Sequence, residues 1–559
     1  MDRRFIWAIL LMTAIVMAPA LLLKKPLPQP AAVDSTAAAT GPAPTPALVA
    51  GGPAPIAAAP ALPDAAGTAE DTILVHTPLA TYGISSRGAR IVSVSLSQYA
   101  SQAPADKGQP VELLRPGSEL LGLRLVAGAD TVWLDRWQFT ASSGELSIAA
   151  PTPVEFVATQ GGVTVRLSYT FRPDDYRVAV EGTIEGVGPN GGLLLVGMGP
   201  GLANTEANLA ENERAMGVVT KAQSTKFKGF QSLDTGVVAT LSGPFEWVAI
   251  KSKYFVTALL AFEEGAAPIG GLAVTPLPEP GQKRADHAAV WASVLLPPAG
   301  DFRYQLYTGP MEYNRLSAVG HDFDDVNPYG WPGFRTIIRP VAVGVRWLLV
   351  WMHTHLHLAY GMVLVVFGIL VRVVLWPLNQ KAMRSTMAMQ AIQPELKAIQ
   401  DRFKDDPAKL QQEMFKLYRE HNVNPFGGCW PMLLPMPVLL ALFFVFQNTI
   451  ELRGQSFLWL PDLSRADPLY IIPLVMGLSM FGLSKMGQRG MPPNPQMKMM
   501  LYVMPIMMTV LFLNFASGLN LYYAVSNLAS IPQQWLISQE RMKAAAVRGE
   551  VEPVKKKRT

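Results

Sequence analysis

A single arginine, Arg372, interrupts a long apolar segment and has the clearest potential for chemistry in this chain. An arginine at the centre of a membrane helix costs about 2.5–3.5 kcal/mol, so such a residue usually has a role. The segment ends at Leu378, and the intervening six residues of helix rise about 9 Å, which places the guanidinium below the membrane boundary. Arg372 therefore either extends to the boundary without a role or faces a water-filled cavity among helices.

The apolar segments around Arg372 contain no acidic partner for it. An unpaired cation beside a cavity attracts acidic or polar groups of another molecule. Uncharged polar side chains near the end of the chain are candidates for the cavity lining: Asn514, Ser517, Asn520, Tyr522, Tyr523, Ser526 and Asn527. Each of them could equally form hydrogen bonds between helices, so both interpretations stay open.

Motifs for enzymes and metal sites are missing from the sequence. It contains no H-E-x-x-H, G-x-S-x-G or Walker motif, and its only cysteine is Cys429. His353, His355 and His357 alternate along the chain, so at most two of them share a helical face. The sequence therefore predicts neither an enzyme nor a bound cofactor or metal.

The composition indicates a membrane protein with several spans. Half of the residues are hydrophobic and 16% are charged, compared with about 25% charged residues in soluble domains. We predict six transmembrane helices: Phe5–Leu23, Leu356–Leu378, Trp430–Phe446, Tyr470–Leu483, Met499–Phe515 and Ser517–Leu536. The first resembles a signal peptide at Ala18-Pro19-Ala20, but its apolar run is longer than the usual 7–15 residues, which favours an uncleaved anchor within residues 1–25.

The distribution of Lys and Arg predicts the orientation of these helices. Basic residues are frequent in segments 379–426 and 484–498 and in the tail at 538–559, whereas segment 449–468 has only Arg453 and Arg465. Basic loops stay in the cytoplasm. Both termini are therefore predicted to be cytoplasmic, and the region between the first two helices lies across the membrane.

That region divides into a linker, a β domain and a helix. Residues 26–70 are mostly Ala and Pro and predict a passive spacer. Within residues 71–330, apolar and polar residues alternate, as in Val163–Phe171, which predicts an antiparallel β-sandwich. Residues 331–355 contain Arg335, Arg339 and Arg346 on one helical face, which favours an interfacial helix broken at Pro340 over a transmembrane helix with snorkelling arginines.

Segment 379–426 is predicted to form a helical hairpin with a charged outer surface. Apolar residues recur at helical spacing on both sides of residue 405. Asp406 followed by Pro407 is typical of a helix start, with the carboxylate as the N-cap.

Several ordered motifs in the chain are similar to those of YidC-type membrane protein insertases. The motifs are Val371-Arg372, Trp376-Pro377-Leu378, Gln393-Pro394, Asn424 to Cys429, Pro431, Met436-Pro437, Gly518-Leu519, Leu521-Tyr522-Tyr523 and Ser526-Asn527. Trp247-Val248-Ala249, Tyr254-Phe255 and Tyr329-Gly330-Trp331 resemble the Gram-negative form, which has a large periplasmic domain.

The resemblance implies a five-helix core around a hydrophilic groove that is open to cytoplasm and lipid and closed to the periplasm. It makes Arg372 the groove arginine, and it implies that the hairpin, with Gln393, Pro394, Asp406 and Pro407, receives substrates and contacts the ribosome. The Sec translocon is a further implied partner. Pro435 and Asn514 depart from the family pattern, since a Gln and an aromatic residue are common there.

The sequence therefore predicts an insertase and folding chaperone of the inner membrane. Its expected partners are nascent membrane proteins, the Sec translocon, the lipid bilayer, and the ribosome through the hairpin and basic tail. The alternative is a secondary transporter for a small anion that binds at Arg372. Neither an internal repeat nor a carboxylate for coupling supports that alternative.

Overall fold

The computed structural model of the chain describes residues 71–128, 130–186, 188–278, 282, 284–330, 334–404, 406–421, 436–489 and 495–547. Several predictions lie outside these residues: the N-terminal anchor, the Ala/Pro linker, Pro435 and the last part of the basic tail.

The described residues between 71 and 330 form two large sheets. The first has the order β15-β18-β19-β12-β5-β3-β2-β1-β8, with β4 beside β3 and β6 beside β5, and the second has the order β14-β13-β16-β17-β20-β11-β10-β9-β7. The strands are β1 Thr72–His76, β2 Ala80–Ser85, β3 Ile91–Ala100, β4 Pro110–Glu112, β5 Leu120–Ala127, β6 Asp130–Val132, β7 Thr140–Ala141, β8 Leu146–Ser147, β9 Thr152–Gln160, β10 Val163–Phe171, β11 Arg177–Glu185, β12 Gly192–Met198, β13 Gly217–Lys221, β14 Thr225–Gly229, β15 Ala239–Phe245, β16 Trp247–Lys251, β17 Phe255–Leu260, β18 Ile269–Leu277, β19 His287–Leu296 and β20 Asp301–Pro310. Two short helices, α1 Leu209–Ala215 and α2 Tyr313–Val319, accompany them.

The sheets pack face to face around one apolar core. The rings of Tyr82 on β2 and Phe171 on β10 lie 5.1 Å apart, and the Tyr169 hydroxyl donates to the Ala89 carbonyl across the interface. Alternate residues of β10 are buried, as their sequence pattern predicts. The prediction of an antiparallel β-rich region is confirmed, with the β1–β8 pair as a parallel exception.

A helix of 22 residues, α3 Arg335–Leu356, follows the sandwich. It continues through Pro340, so the predicted break there is wrong. Pro340 removes one intrahelical hydrogen bond close to the helix start, where the following turns still hold the helix.

The charged side of α3 faces protein. Arg339 bonds Asp324 at 2.7 Å, Arg335 pairs with Asp325, and Arg346 pairs with Glu451 and donates to Asn314 at 3.2 Å. Arg346 is buried on the same face as Ile338, Ala342 and Leu349. The exposed side is apolar and aromatic, with Phe334, Ile337, Trp347 and Trp351. Arg346 therefore interrupts the apolar run because it pairs inside the protein.

Seven further helices complete the described chain. They are α4 Tyr360–Ala391, α5 Gln393–Arg402, α6 Pro407–Glu420, α7 Met436–Asn448, α8 Ile471–Gly487, α9 Pro495–Phe512 and α10 Ser517–Val547. Helix α4 continues beyond Leu378, the predicted end of the membrane span, because residues 379–391 contain neither Gly nor Pro. Among the described residues, Tyr360–Pro377 is the one segment long and apolar enough to cross a membrane alone, and three shorter apolar helices accompany it: Val438–Asn448, Ile471–Gly487 and Leu501–Phe512.

Helices α5 and α6 form a hairpin. The Asp406 side chain accepts a hydrogen bond from the Lys409 amide, and Pro407 is the first residue of α6. The predicted start of this helix is therefore confirmed. His421, just after α6, contacts Glu395 near the start of α5 at 3.1 Å, so the two helices run antiparallel.

Candidate functional site

Arg372 is a residue of α4, and its side chain contacts α10. Its Nε donates to the Ser526 hydroxyl at 2.8 Å, and its side chain is half-buried. One turn earlier on α4, a Cβ at Gly368 would lie 3.2 Å from Val525 Cγ1 and 3.5 Å from the Tyr522 carbonyl. The two helices approach closely there because Gly368 has no side chain, and this approach brings Ser526 within reach of Arg372.

Tyr522 occupies the same face of α10, one turn before Ser526. It is buried, and its ring packs against Phe367 of α4 at 5.7 Å and Phe446 of α7 at 6.5 Å. Helix α10 therefore presents two groups near Arg372: the Ser526 hydroxyl, which is bonded to it, and the Tyr522 ring one turn earlier.

No acidic side chain forms an ion pair with Arg372 in the part of the chain that the structure describes. The bond to Ser526 uses Nε, and no hydrogen bond from the two terminal nitrogens of the guanidinium is present among the described residues. These nitrogens form a planar fork that matches a carboxylate or phosphate. The arrangement can therefore bind an anionic group presented by another molecule.

Other polar residues of α10 tie helices together. Asn527 donates to Ser479 of α8 at 3.3 Å, and Gln533 donates to the Trp376 carbonyl of α4 at 3.1 Å. For Asn527, the interpretation as an interhelical hydrogen bond is the one that this contact favours.

Four of the predicted lining residues make their described contacts with residues other than Arg372. Ser517 bonds the backbone of the α7–α8 loop, and Asn520 donates to the Phe512 carbonyl at the end of α9. Tyr523 packs edge-on against Phe512. Asn514 is exposed after α9 and lines a cavity of 450 Å³ beside the β-sandwich, with Asn208 and Lys253. Asn514, Ser517 and Asn520 lie more than one helical turn before Ser526, toward the sandwich end of the bundle, whereas Tyr523 lies within one turn of Ser526 but packs against Phe512.

The hairpin residues lie elsewhere in the chain. Gln393 and Pro394 are the first two residues of α5, and Asp406 and Pro407 begin α6. They are separate from the Arg372 site.

A second cluster joins the bundle to the β-sandwich at the α7–α8 loop, residues 449–470. Arg453 bonds both oxygens of Glu206, at 2.9 and 3.2 Å, and donates to the carbonyls of Ala100 and Thr205. Gln102 donates to Asp462 at 2.6 Å. Burial raises the pKa of the Glu206 carboxyl, while Arg453 acts in the opposite direction.

This second cluster was not predicted from the sequence. Arg453 and Glu206 are 247 residues apart, and no local pattern distinguishes either of them from a surface charge. Their contact could have been predicted only from correlated substitutions at the two positions among related sequences.

The described residues contain no group of three or more His, Cys, Asp or Glu that could hold a metal ion. His353 stacks on Tyr360 at 4.0 Å, and its Nδ1 lies 2.7 Å from the Leu358 carbonyl.

Comparisons with known proteins assign nearly the whole chain beyond residue 71. A family model described as "60Kd inner membrane protein" matches residues 351–545, and one described as "YidC periplasmic domain" matches residues 72–342. A "Membrane protein insertase YidC" of Chloroherpeton thalassium is 30% identical over 508 residues, which cover 84% of this chain and 83% of that protein. A protein of the same description from Chlorobium phaeovibrioides is 31% identical over 529 residues, 88% of both chains.

A solved structure described as an active YidC insertase aligns with 84% of this chain and 93% of its own, at 20% identity and a TM-score of 0.34. That score is too low to support an argument about the fold.

Proposed function

This chain belongs to the YidC family of membrane protein insertases, and from that premise we propose that it inserts nascent proteins into the inner membrane through a hydrophilic groove containing Arg372. The observation that carries the proposal is the half-buried guanidinium on α4, bonded to Ser526 and without a described acidic partner. The function named for the family is not enzymatic, and the proposed mechanism requires neither covalent chemistry nor a cofactor.

In this mechanism Arg372 receives the polar part of an incoming segment. The terminal nitrogens of its guanidinium bind an acidic side chain while that segment is within the membrane. The segment then crosses only part of the bilayer, because the groove solvates it. Burial of the neighbouring apolar helix in lipid drives the process at about 25 cal/mol per Å², and the membrane potential adds about 2.3 kcal/mol per charge per 100 mV.

Short helices support the same mechanism. The 17 residues of α8 and the 18 residues of α9 would span about 25 and 27 Å, less than the roughly 30 Å of a bilayer core. Helices shorter than the hydrocarbon thickness draw the bilayer thinner around them. A locally thin bilayer lowers the barrier for a polar segment.

The topology that fits this function has six transmembrane helices, five of which surround the groove. Both termini and the α5–α6 hairpin are cytoplasmic, and the β-sandwich lies in the periplasm. The apolar outer surfaces of α4 and α9 support contact with lipid, since Val373, Val374, Ile506 and Val510 are largely exposed. We place α3 in the membrane interface with its Trp347 and Trp351 side toward lipid.

The partners proposed for this topology are nascent membrane proteins, the Sec translocon, and the ribosome through the hairpin and the basic tail. The exposed charges of the hairpin support its role as a binding surface for the ribosome. Lys409 and Arg419 are exposed on α6, and basic side chains bind the phosphates of RNA.

Site-directed photocrosslinking in cells tests the groove. A photoreactive phenylalanine analogue at Tyr522, which is 3% exposed, should form adducts with nascent membrane proteins. The same analogue at Trp347, which is 62% exposed on α3, is an aromatic control that should give far fewer adducts. Adducts at equal frequency from both positions would argue against a groove beside Arg372.

The alternative of an anion transporter makes a different prediction. It requires uptake of a small anion by proteoliposomes and the absence of nascent-chain adducts at position 522. That pair of results would refute the insertase mechanism.

A further inference from the structure

Arg453 belongs to the α7–α8 loop of the bundle, yet its side chain is buried in the β-sandwich. Only 4% of the Arg453 side chain and 7% of the Glu206 side chain are exposed. All three guanidinium nitrogens are used: Nε bonds Glu206, Nη1 donates to the Ala100 carbonyl at 2.8 Å, and Nη2 donates to the Thr205 carbonyl at 2.9 Å. The ring of Phe255 lies 5.3 Å from the guanidinium carbon.

Such an arrangement is specific. A buried ion pair is favourable only when its geometry is good and its remaining donors are satisfied, and both conditions hold here. Lysine could satisfy Glu206 but could not reach both carbonyls with a planar fork. The site therefore fixes the α7–α8 loop at one position on the sandwich.

The same loop is also bonded to the first turn of α10. The Ser517 amide donates to the Arg465 carbonyl at 2.6 Å, its hydroxyl donates to the Asp462 carbonyl at 3.1 Å, and the Gly518 amide donates to the Leu463 carbonyl at 2.9 Å. A Cβ at Gly518 would lie 3.1 Å from that carbonyl. The loop therefore lies directly against the backbone at the start of α10.

Asp462 connects the two sides of the loop. One of its carboxylate oxygens accepts from Gln102 of the sandwich, and the other accepts from the Ser464 hydroxyl at 2.7 Å. Its backbone carbonyl accepts from Ser517. A continuous set of hydrogen bonds thus runs from the sandwich through the loop to the helix that carries Ser526.

We propose that Arg453 is a positioning residue for insertion: it anchors the α7–α8 loop to the β-sandwich, and the anchored loop holds the start of α10 so that the groove stays closed at its periplasmic end. This inference rests on the proposed function, because it assumes that a groove beside Arg372 exists. It gives the β-sandwich a mechanical role in the membrane part of the chain.

The test measures access of water to the groove from each side. The full chain, with Cys429 replaced by serine and with Leu375→Cys as a reporter, is reconstituted in vesicles and treated with a membrane-impermeant maleimide. Leu375 is partly exposed and lies one turn after Arg372 on α4. With Arg453 intact, the reporter should react from the cytoplasmic side and at least tenfold more slowly from the periplasmic side. Arg453→Ala should abolish that difference by raising the periplasmic rate, and Arg453→Lys should raise it less.

Two controls separate positioning from general stability. Arg303→Ala removes an exposed pair with Glu181 on the same sandwich and should leave both rates unchanged. Gln102→Leu removes the hydrogen bond between the sandwich and Asp462 of the α7–α8 loop and should also raise the periplasmic rate. This variant keeps the test decisive if Arg453→Ala does not fold. Labelling is measured below the unfolding temperature of each variant, since loss of stability alone does not change the rate from one side only.

The outcomes distinguish this inference from the function on which it rests. An unchanged periplasmic rate in folded Arg453→Ala and Gln102→Leu overturns the positioning role while the groove stands. Labelling from neither side in the otherwise unaltered chain overturns the groove and this inference with it. If Arg372→Ala inserts every substrate normally but Arg453→Ala still opens the periplasmic side, the positioning role stands and the docking role of Arg372 fails.

Discussion

Replacement of Arg372 by alanine is expected to slow the insertion of substrates whose translocated segment contains an acidic residue. The guanidinium offers two terminal nitrogens beside Ser526, and no described carboxylate competes for them. A hydrogen bond to a charged group contributes about 1.5–3 kcal/mol. If that interaction is present mainly while the segment crosses, its loss slows insertion roughly 10- to 150-fold, since 1.36 kcal/mol corresponds to a factor of ten.

The assay compares matched substrates in cells depleted of the native insertase. One substrate carries a single Asp in its translocated segment, and the other carries Asn at the same position. Arg372→Ala should slow the Asp substrate by the stated factor and the Asn substrate by much less. Arg372→Lys should retain much of the activity, because the charge remains. Equal insertion of the Asp substrate by all three proteins would refute a role for this charge.

Three further predictions concern the stability of the fold and the helix packing at the Arg372 site. Arg346→Ala leaves the partly buried Glu451 without its cation and should lower the free energy of unfolding by up to about 3 kcal/mol, measured by chemical denaturation, whereas loss of the exposed Arg303–Glu181 pair should cost at most about 1 kcal/mol. Burial lowers the pKa of Lys251 to about 8, so the unfolded state binds more protons between that pH and about 10.4, and stability should rise with pH across this window; thermal unfolding of Lys251→Met should lack the rise. Gly368→Leu forces α4 away from α10 and should cost about 1–3 kcal/mol while slowing insertion of acidic segments, and an unaltered rate would contradict the need for close approach at this position.

Local patterns in the sequence predicted local structure well. The alternation in Val163–Phe171 became β10, and Asp406-Pro407 became the start of α6, because burial and capping depend on residues close together in the chain. The continuation of α4 beyond Leu378 was not predicted, because the apolar pattern stops there whereas the helix continues in helix-forming polar residues.

Contacts across the chain could not be predicted in the same way. The sequence singled out Arg372 and named Ser526 among several candidates, but it could not place these two together and Asn514 elsewhere, since that depends on how α4 and α10 pack at Gly368. The partners of Arg335, Arg339 and Arg346 were missed for the same reason. Amphipathic spacing shows that charges share a face, but it does not show whether water or carboxylates cover that face.

The most direct test of insertase activity uses the purified chain alone in vesicles. A short membrane protein with one acidic translocated segment is synthesised in their presence, and protection of that segment from added protease measures its insertion. The segment should become protected in vesicles that contain the chain, far less in vesicles with Arg372→Ala, and least in empty vesicles. Equal protection in all three would contradict insertion through a groove at Arg372.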